Sequence, residues 1–178
     1  MIIALAGRRV DAAGAKPPRF PLQNVDLVRM RVRAMLEAQG AKVVVCSAAC
    51  GADLIALSEA GSLGLRRRVV LPFNRKRFRD TSVTDRPGDW GTVYDRVFDE
   101  VQAKGDLVVM EKTSDEEVYS AANVAILDEA ASLAKQLDYP AAAALVWDGV
   151  SRGDHDITEE FGIEARKRGL AVIEVRTV

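Results

Sequence analysis

Three short segments of the chain combine small residues with polar ones in a way that suits the capture of a ligand. The first is Gly7-Arg8-Arg9, where a glycine lets the backbone approach a ligand and two guanidinium groups could fork onto a phosphate or a carboxylate. Charge alone is equally compatible with a pair of solvated surface arginines. Because the segment directly follows an apolar run, we favour the binding interpretation.

The second segment is Ser47-Ala48-Ala49-Cys50-Gly51-Ala52-Asp53, in which small residues lead into a predicted helix. Such a turn presents backbone N–H groups to an anion, so we predict ligand contacts at Ser47, Ala48, Gly51 and Asp53. The alternative is a tight turn with a capping residue. The segment matches neither a Walker loop nor a G-x-G-x-x-G fingerprint, so neither ATP hydrolysis nor NAD binding is supported and no cofactor is predicted.

The third segment is the loop from Trp147 to Thr158, which contains three aspartates. Carboxylates repel phosphate but accept hydrogen bonds from hydroxyl groups, so we assign this loop to a sugar or a base. The phosphate is then predicted at Gly7, Arg8 and the Ser47–Gly51 turn. The predicted ligand contacts in the loop are Asp148, Gly149, Ser151 and Gly153.

The sequence offers few residues for metal or nucleophilic chemistry. Cys46 and Cys50 are four positions apart, but His155 is the only histidine, so a zinc site would lack ligands and no metal is predicted. Two small buried thiols are the favoured interpretation of the cysteines. Known cap preferences favour Asp154 or Asp156 as a helix cap, and without an identifiable nucleophile His155 is not predicted to be catalytic.

The elements that would position these segments alternate between strand and helix. Short apolar runs predict six strands, at 2–6, 43–46, 67–71, 107–110, 142–147 and 170–175. Amphipathic stripes predict helices that include 22–39, 52–63, 93–103 and the segment 157–168, and a capping box at Ser114 and Glu117 predicts the start of another.

Apolar runs without alternation indicate strands covered on both faces. We therefore predict an α/β, Rossmann-like doubly wound fold with a mainly parallel six-stranded sheet and helices on both faces, forming one domain over residues 1–178. In such a sheet the ligand lies outside the carboxyl ends of the strands.

The segment 73–91 interrupts this alternation because it is polar and contains Pro87 and Gly88. We predict a lid or binding loop there, in which Trp90 either stacks on a base or packs the loop down. Seven basic residues and no acid lie between Arg66 and Arg79. Because few aromatic residues accompany them, a phosphate-facing lid or a solvated face is favoured over a nucleic-acid groove.

The composition limits the class of partner. The formal net charge of −1 gives no global attraction to nucleic acid or to an anionic membrane. No apolar run approaches the roughly 20 residues of a membrane helix. The apolar run at 2–6 meets Gly7 too soon for a signal peptide, so a cytoplasmic protein is expected. A homo-oligomer is compatible with the sequence, which does not specify the oligomeric state.

Three of the segments together resemble the SLOG superfamily, the Rossmann-like group that includes the Smf/DprA proteins and the Lonely Guy enzymes. Gly7-Arg8-Arg9 resembles its first-strand Gly-Ser-Arg turn, and Ser47 to Asp53 resembles its second-strand turn with an acidic helix start. The segment Trp147-Asp148-Gly149-Val150-Ser151-Arg152-Gly153 is similar to its Trp-Asp-Gly-x-Ser-x-Gly-Thr loop, with Asp154 in place of threonine.

The resemblance implies a nucleotide or nucleotide-derived ligand, with the domain acting as a binding or sensor module. Its enzymatic branch hydrolyses the N-glycosidic bond of nucleoside monophosphates and uses a Pro-Gly-Gly-x-Gly-Thr-x-x-Glu signature that this chain lacks. The alternative function is therefore such a hydrolase, with Asp148 or Glu159 as the carboxylate. A nucleic-acid-binding module is the third hypothesis.

Overall fold

The computed structural model describes residues 1–110 and 118–178. The strands are β1 (Ile2–Gly7), β2 (Val43–Cys46), β3 (Arg66–Leu71), β4 (Leu107–Val109), β5 (Ala141–Trp147) and β6 (Ala171–Arg176). The α-helices are α1 (Val25–Ala38), α2 (Ala52–Ser62), α3 (Arg75–Ser82), α4 (Trp90–Ala103), α5 (Val118–Leu137) and α6 (Ile157–Lys167). A short 3-10 turn at Leu22–Asn24 precedes α1.

The six strands form one parallel sheet in the order β4-β3-β2-β1-β5-β6. One face of the sheet packs on α1, α2 and α4, and the other packs on α5 and α6. Because both faces are covered, adjacent residues of the central strands are both buried, as Ile2 and Ile3 of β1 are. The predicted Rossmann-like α/β fold is confirmed.

The order in which strands are added across the sheet reverses between β1 and β5, although all six strands are parallel. From β1 the chain proceeds outward through β2, β3 and β4, and it then crosses back so that β5 pairs with the other side of β1. Ligands of doubly wound folds usually bind outside the carboxyl edge of the sheet near such a point. The first and third ligand segments predicted from the sequence therefore flank the switch point of the fold.

The segment 73–91 is more regular and more buried than predicted. Residues 75–82 form α3, whose N-cap Asn74 accepts a hydrogen bond from the amide of Arg77 at 3.0 Å. Phe78 is 1% exposed and stacks on Tyr94 of α4 with ring centroids 6.2 Å apart. The segment thus contributes to the core, and only residues 73–74 and 83–89 of it lie outside a helix, while its role as a lid or binding loop stays a prediction.

Two further sequence predictions concern the helices. The capping box at Ser114 and Glu117 lies outside the described residues, and α5 is described from Val118. In residues 1–110 and 118–178, no helix is both long and apolar enough to cross a bilayer.

Candidate functional site

A cavity of about 240 Å³ opens at the carboxyl edge of β1 and β2. We call it the edge cavity. Its apolar wall comes from the end of β1 and from α3, α5 and α6, with Leu5, Phe78 and Ile126 among the contributors. Eight of the described residues contribute to its polar wall: Arg9, Ser47, Asp53, Ser82, Tyr119, Asn123, Arg152 and Thr158. An apolar cleft with a few converging polar groups is the usual form of a small-molecule site.

Asp53 lies in the first turn of α2 and is 7% exposed. Burial raises the pKa of Asp53 to about 7, although the amide of Ala49, which donates to Oδ2 at 3.1 Å, and the charge of Arg9 both lower it. A carboxyl group that titrates near neutral pH can exchange a proton with a ligand. Asp53 is therefore the described residue of the edge cavity whose charge is most sensitive to pH near neutrality.

Three neighbouring groups can fix the orientation of a ligand. The Oγ atom of Ser47 is buried and makes no hydrogen bond to a described residue, so it keeps a donor and an acceptor for a ligand. Asn123 donates from Nδ2 to the carbonyl of Ile157 at 2.8 Å, which holds its side chain in place. Tyr119 is 38% exposed and offers an aromatic ring at the rim.

Arg8 occupies the switch point as a buried clamp and does not line the edge cavity. It is 1% exposed, and its guanidinium forks onto Asp156 at 2.6 and 2.8 Å. Its Nε donates to Oδ1 of Asp148 at 2.9 Å, and Arg19 donates to the other oxygen of Asp148 at 2.7 Å. The clamp joins the loop after β1 to the loop after β5, so Arg8 and Asp148 satisfy each other.

Asp156 is the N-cap of α6, as the sequence predicted for Asp154 or Asp156. Its side chain accepts hydrogen bonds from the amides of Thr158 at 3.0 Å and Glu159 at 3.3 Å. Burial opposes its ionisation, but the hydrogen bonds from Arg8 and from backbone amides outweigh burial and lower the pKa of Asp156 to about 2. The Asp156 carboxylate therefore has a structural role, as the cap of α6 and the partner of Arg8.

The turn predicted to cradle phosphate uses much of its backbone within the protein. The amide of Cys50 donates to the carbonyl of Ser82 at 3.0 Å, and the amide of Ala52 donates to the carbonyl of Arg8 at 3.1 Å. The amide of Ala49 is bound to Asp53. An anion at this turn would have to displace protein acceptors, so the turn is less receptive than its sequence indicates.

The structure brings four of the predicted ligand residues together at the edge cavity: Gly7, Arg9, Ser47 and Asp53. Gly7 is also required by the fold, because a Cβ there would collide with Ala52 and lie 2.5 Å from the carbonyl oxygen of Val146.

The other predicted contacts do not line the edge cavity. Ala48 is buried in the core, and Gly51 adopts a φ of 94° at the N-cap of α2. Trp90 is 6% exposed and donates from Nε1 to the carbonyl of Pro87 at 2.8 Å, so it packs the loop down. Among the predicted contacts of the loop after β5, a Cβ on Gly149 would collide with Arg176, and Gly153 adopts a φ of 91°.

Neither of the proposed catalytic carboxylates lines the edge cavity. Asp148 is held by Arg8 and Arg19, and Glu159 accepts a hydrogen bond from the hydroxyl of Ser151.

Several residues of the edge cavity were not singled out from the sequence. Asn123 lies on the buried stripe of α5 beside Ala122 and Ile126, and an amide on an apolar face is a signal that could have been recognised. Phe78 and Ser82 belong to α3, which the sequence did not predict, and no spacing rule links them to β1.

The two cysteines are free and buried, as predicted. Burial raises the pKa of both thiols, which disfavours thiolate chemistry. Among the described residues, no group of three His, Cys, Asp or Glu side chains is arranged to hold a metal ion.

Fold and site together define an α/β protein of the doubly wound, Rossmann-like class with a cavity at the carboxyl edge of its sheet. No family model matches the chain, and no curated protein matches it.

Proposed function

We propose that the chain binds a nucleotide or nucleotide-derived ligand whose nucleoside portion occupies the edge cavity, as the resemblance to the SLOG superfamily implies. The observation that carries the proposal is the pairing of apolar walls with the converging polar groups of Ser47, Asp53 and Asn123. Apolar walls suit the faces of a base, and the polar groups suit its edge or the ribose hydroxyls. Tyr119 adds an aromatic ring at the rim.

Thermal denaturation with ribonucleosides and their 5′-monophosphates tests the proposal. A ligand at about 100 times its Kd stabilises the folded state by about 2.7 kcal/mol, which raises the Tm of a domain of this size by about 5–10 °C. Ala122→Leu places a larger side chain in the wall of the edge cavity and should abolish the shift. Ala131→Leu, at an exposed position of the same helix, should preserve it.

Two results would overturn the proposal. One is the absence of a shift with every nucleoside and nucleotide, and the other is an unchanged shift in a folded Ala122→Leu protein. Far-ultraviolet circular dichroism of both variants establishes that each is folded before binding is compared.

A second candidate function, hydrolysis of the N-glycosidic bond, is favoured by the raised pKa of Asp53. The carboxylate would take a proton from water, the water oxygen would bond to C1′ of the ribose, and the base would leave with the electron pair of the broken C–N bond. Asp53, and neither Asp148 nor Glu159, lines the cavity where this could occur.

Chromatography of nucleoside monophosphates after incubation distinguishes the two functions. Hydrolysis predicts free base that disappears in Asp53→Asn and a rate that changes near pH 7. Nucleotide binding without release of free base would support the binding function and contradict hydrolysis.

A further inference from the structure

A second cavity, of about 260 Å³, adjoins the edge cavity and shares Arg9 and Arg152 with it. We call it the cationic cavity. It lies between the segment that joins β1 to α1, residue 86 of the segment before α4, and residue 152 of the loop after β5. Five cationic side chains line it, Arg9, Lys16, Arg19, Arg86 and Arg152, while Asp11 is its only carboxylate among the described residues.

The carboxylates near this cavity do not neutralise its cations one for one. Asp85 is shared, because it pairs with Arg9 and also lies 3.6 Å from Nε of Arg86. Asp148 is likewise shared between Arg8 and Arg19.

Asp11 is also engaged, since its Oδ2 accepts the backbone amides of Arg19 and Phe20 at 2.9 and 3.0 Å. Arg152 has no carboxylate within 4.0 Å in residues 1–110 or 118–178. Partial burial, and after it the nearby charge of Arg8, lower the pKa of Arg152.

Two buried donors in the cavity wall, the Nε atoms of Arg9 and Arg86, make no hydrogen bond to a described residue. A buried donor without an acceptor costs about 1–3 kcal/mol. An anion with several oxygen atoms would supply acceptors and oppose the excess of positive charge.

We propose that the cationic cavity binds the phosphate chain of a nucleotide that carries a diphosphate or a longer chain. This inference rests on the proposed function, because it places the nucleoside in the edge cavity and passes the phosphates across the shared residues Arg9 and Arg152. A guanidinium presents a fork that matches two phosphate oxygens. Arg9 and Arg19 already use one terminal nitrogen each, on Asp85 and Asp148, and keep further N–H groups for a ligand. Four arginines and a lysine offer more donors than the oxygens of one phosphate accept, which favours a chain of phosphates over a single group.

The placement differs from the one the sequence indicated. The sequence assigned phosphate to Gly7, Arg8 and the Ser47–Gly51 turn, but the guanidinium of Arg8 and several amides of the turn are bound to protein acceptors. The cationic cavity lies on the other side of Arg9, and its arginines come from three separate parts of the chain.

Isothermal titration calorimetry on the full chain tests the inference with four probes: ribonucleosides, their 5′-monophosphates, their 5′-diphosphates and inorganic pyrophosphate. Arg86→Gln removes a cation that lines only the cationic cavity. Arg96→Gln, at an exposed position of α4, removes the same charge away from both cavities. Ala122→Leu alters only the edge cavity.

Arg86→Gln and Ala122→Leu each alter one cavity and leave the other intact, so the phosphate and nucleoside contributions to affinity can be separated. A diphosphate should bind at least about tenfold more tightly than its nucleoside, because charge-assisted hydrogen bonds are stronger than neutral ones and tenfold corresponds to about 1.4 kcal/mol. Arg86→Gln should remove about that tenfold gain and leave nucleoside affinity unchanged, whereas Arg96→Gln should change neither. Pyrophosphate should bind, and Arg86→Gln should weaken it.

Different binding results would contradict the phosphate site, the length of the phosphate chain and the proposed function. Equal affinity for nucleoside, monophosphate and diphosphate, or equal effects of Arg86→Gln and Arg96→Gln, overturns the phosphate site and leaves the proposed function standing. A monophosphate that binds as tightly as the diphosphate overturns the inferred chain length. Pyrophosphate binding that depends on Arg86, with no contribution from any nucleoside and no effect of Ala122→Leu, supports the anion site and overturns the proposed function. If no probe binds, both are overturned.

Discussion

Arg8 carries a buried positive charge that Asp148 and Asp156 share. Arg8→Met would leave Asp156 without its guanidinium partner in a buried position, where breaking such a pair costs about 3–5 kcal/mol. Urea denaturation at pH 7 should show this loss in the free energy of unfolding. The control Arg96→Met, at an exposed position of α4, should change it by less than about 0.5 kcal/mol.

The pH dependence of that loss separates an electrostatic role from packing. The pKa of Asp156 is about 2 in the folded protein, below its ordinary value, so the clamp contributes stability above about pH 4 and loses it as the pH falls toward 2. The difference between the wild type and Arg8→Met should therefore shrink on acidification. A difference that is the same at pH 3 and pH 7 would show that Arg8 acts through packing alone.

The pH dependence of stability that Asp53 causes should have the opposite sign to that caused by Asp156. Its pKa of about 7 exceeds that of the unfolded chain, so between about pH 4 and 7 the folded state binds a proton that the unfolded state has lost. Stability should fall as the pH rises through this window. Asp53→Asn should remove this fall and stabilise the protein at pH 8 by up to about 4 kcal/mol, with little change at pH 4.

Asp26→Asn provides the matched control for this measurement, because the Asp26 side chain on α1 is 97% exposed. Its effect should be small and should not grow from pH 4 to pH 8. If Asp53→Asn behaves in the same way, Asp53 does not carry a raised pKa and is not the residue of the edge cavity whose charge changes near neutrality.

Among the secondary-structure elements, β1, α2 and β5 meet where Gly7 has no side chain. A Cβ at this position would collide with Ala52 at the start of α2 and approach the carbonyl of Val146 in β5 to 2.5 Å. Backbone and helix cannot give way as a flexible side chain can, so Gly7→Ala should destabilise the protein by about 1–3 kcal/mol. Thermal and chemical denaturation measure the loss.

Gly91→Ala is the comparison for this element. The nearest atom to a Cβ on Gly91 is Nη2 of Arg79 at 2.6 Å, the far end of a flexible side chain that can move away. Alanine also favours the helical backbone of α4 by up to about 1 kcal/mol. A cost for Gly91→Ala as large as that for Gly7→Ala would contradict the tight junction of β1, α2 and β5.

The elements also show what sequence reasoning can reach. The strands were predictable because a parallel strand covered on both faces must be apolar at successive positions, as Val43 to Cys46 are. The helix α3 was not predictable, because Phe78 is its only buried apolar side chain and one residue defines no period. The rest of α3 is held by a cap and by ion pairs to α4, such as that of Arg79 with Asp95.

The functional site depends on contacts that are distant along the chain, which limits prediction further. The partners of Arg8 lie 140 and 148 positions away, so its sequence neighbours did not reveal that it would be buried and paired. The carboxyl-edge location was predictable because it follows from topology alone. The sequence does not show which of the adjacent residues Arg8 and Arg9 faces a cavity, because this depends on the direction of each side chain. In the structure Arg9 lines the cavity and Arg8 does not.

The whole molecule bears on the third hypothesis, nucleic-acid binding. The basic residues between 66 and 79 are neutralised locally by ion pairs with carboxylates, which include Arg66 with Asp106, Arg67 with Glu100, Arg68 with Glu129, Arg75 with Asp99, Lys76 with Asp80 and Arg79 with Asp95. With a formal net charge of −1, the chain therefore presents no uncompensated basic stripe there.

Fluorescence anisotropy with labelled duplex DNA and single-stranded RNA should consequently show no binding by the wild type at about micromolar protein, the tight end of the range for non-specific binding. Asp95→Asn combined with Asp99→Asn would remove the partners of Arg75 and Arg79 and should create weak binding that falls steeply with salt, since the freed guanidinium groups would then displace counterions from phosphates. Salt-dependent binding by the wild type, unchanged in this double variant, would show that another surface meets nucleic acid and would restore the third hypothesis.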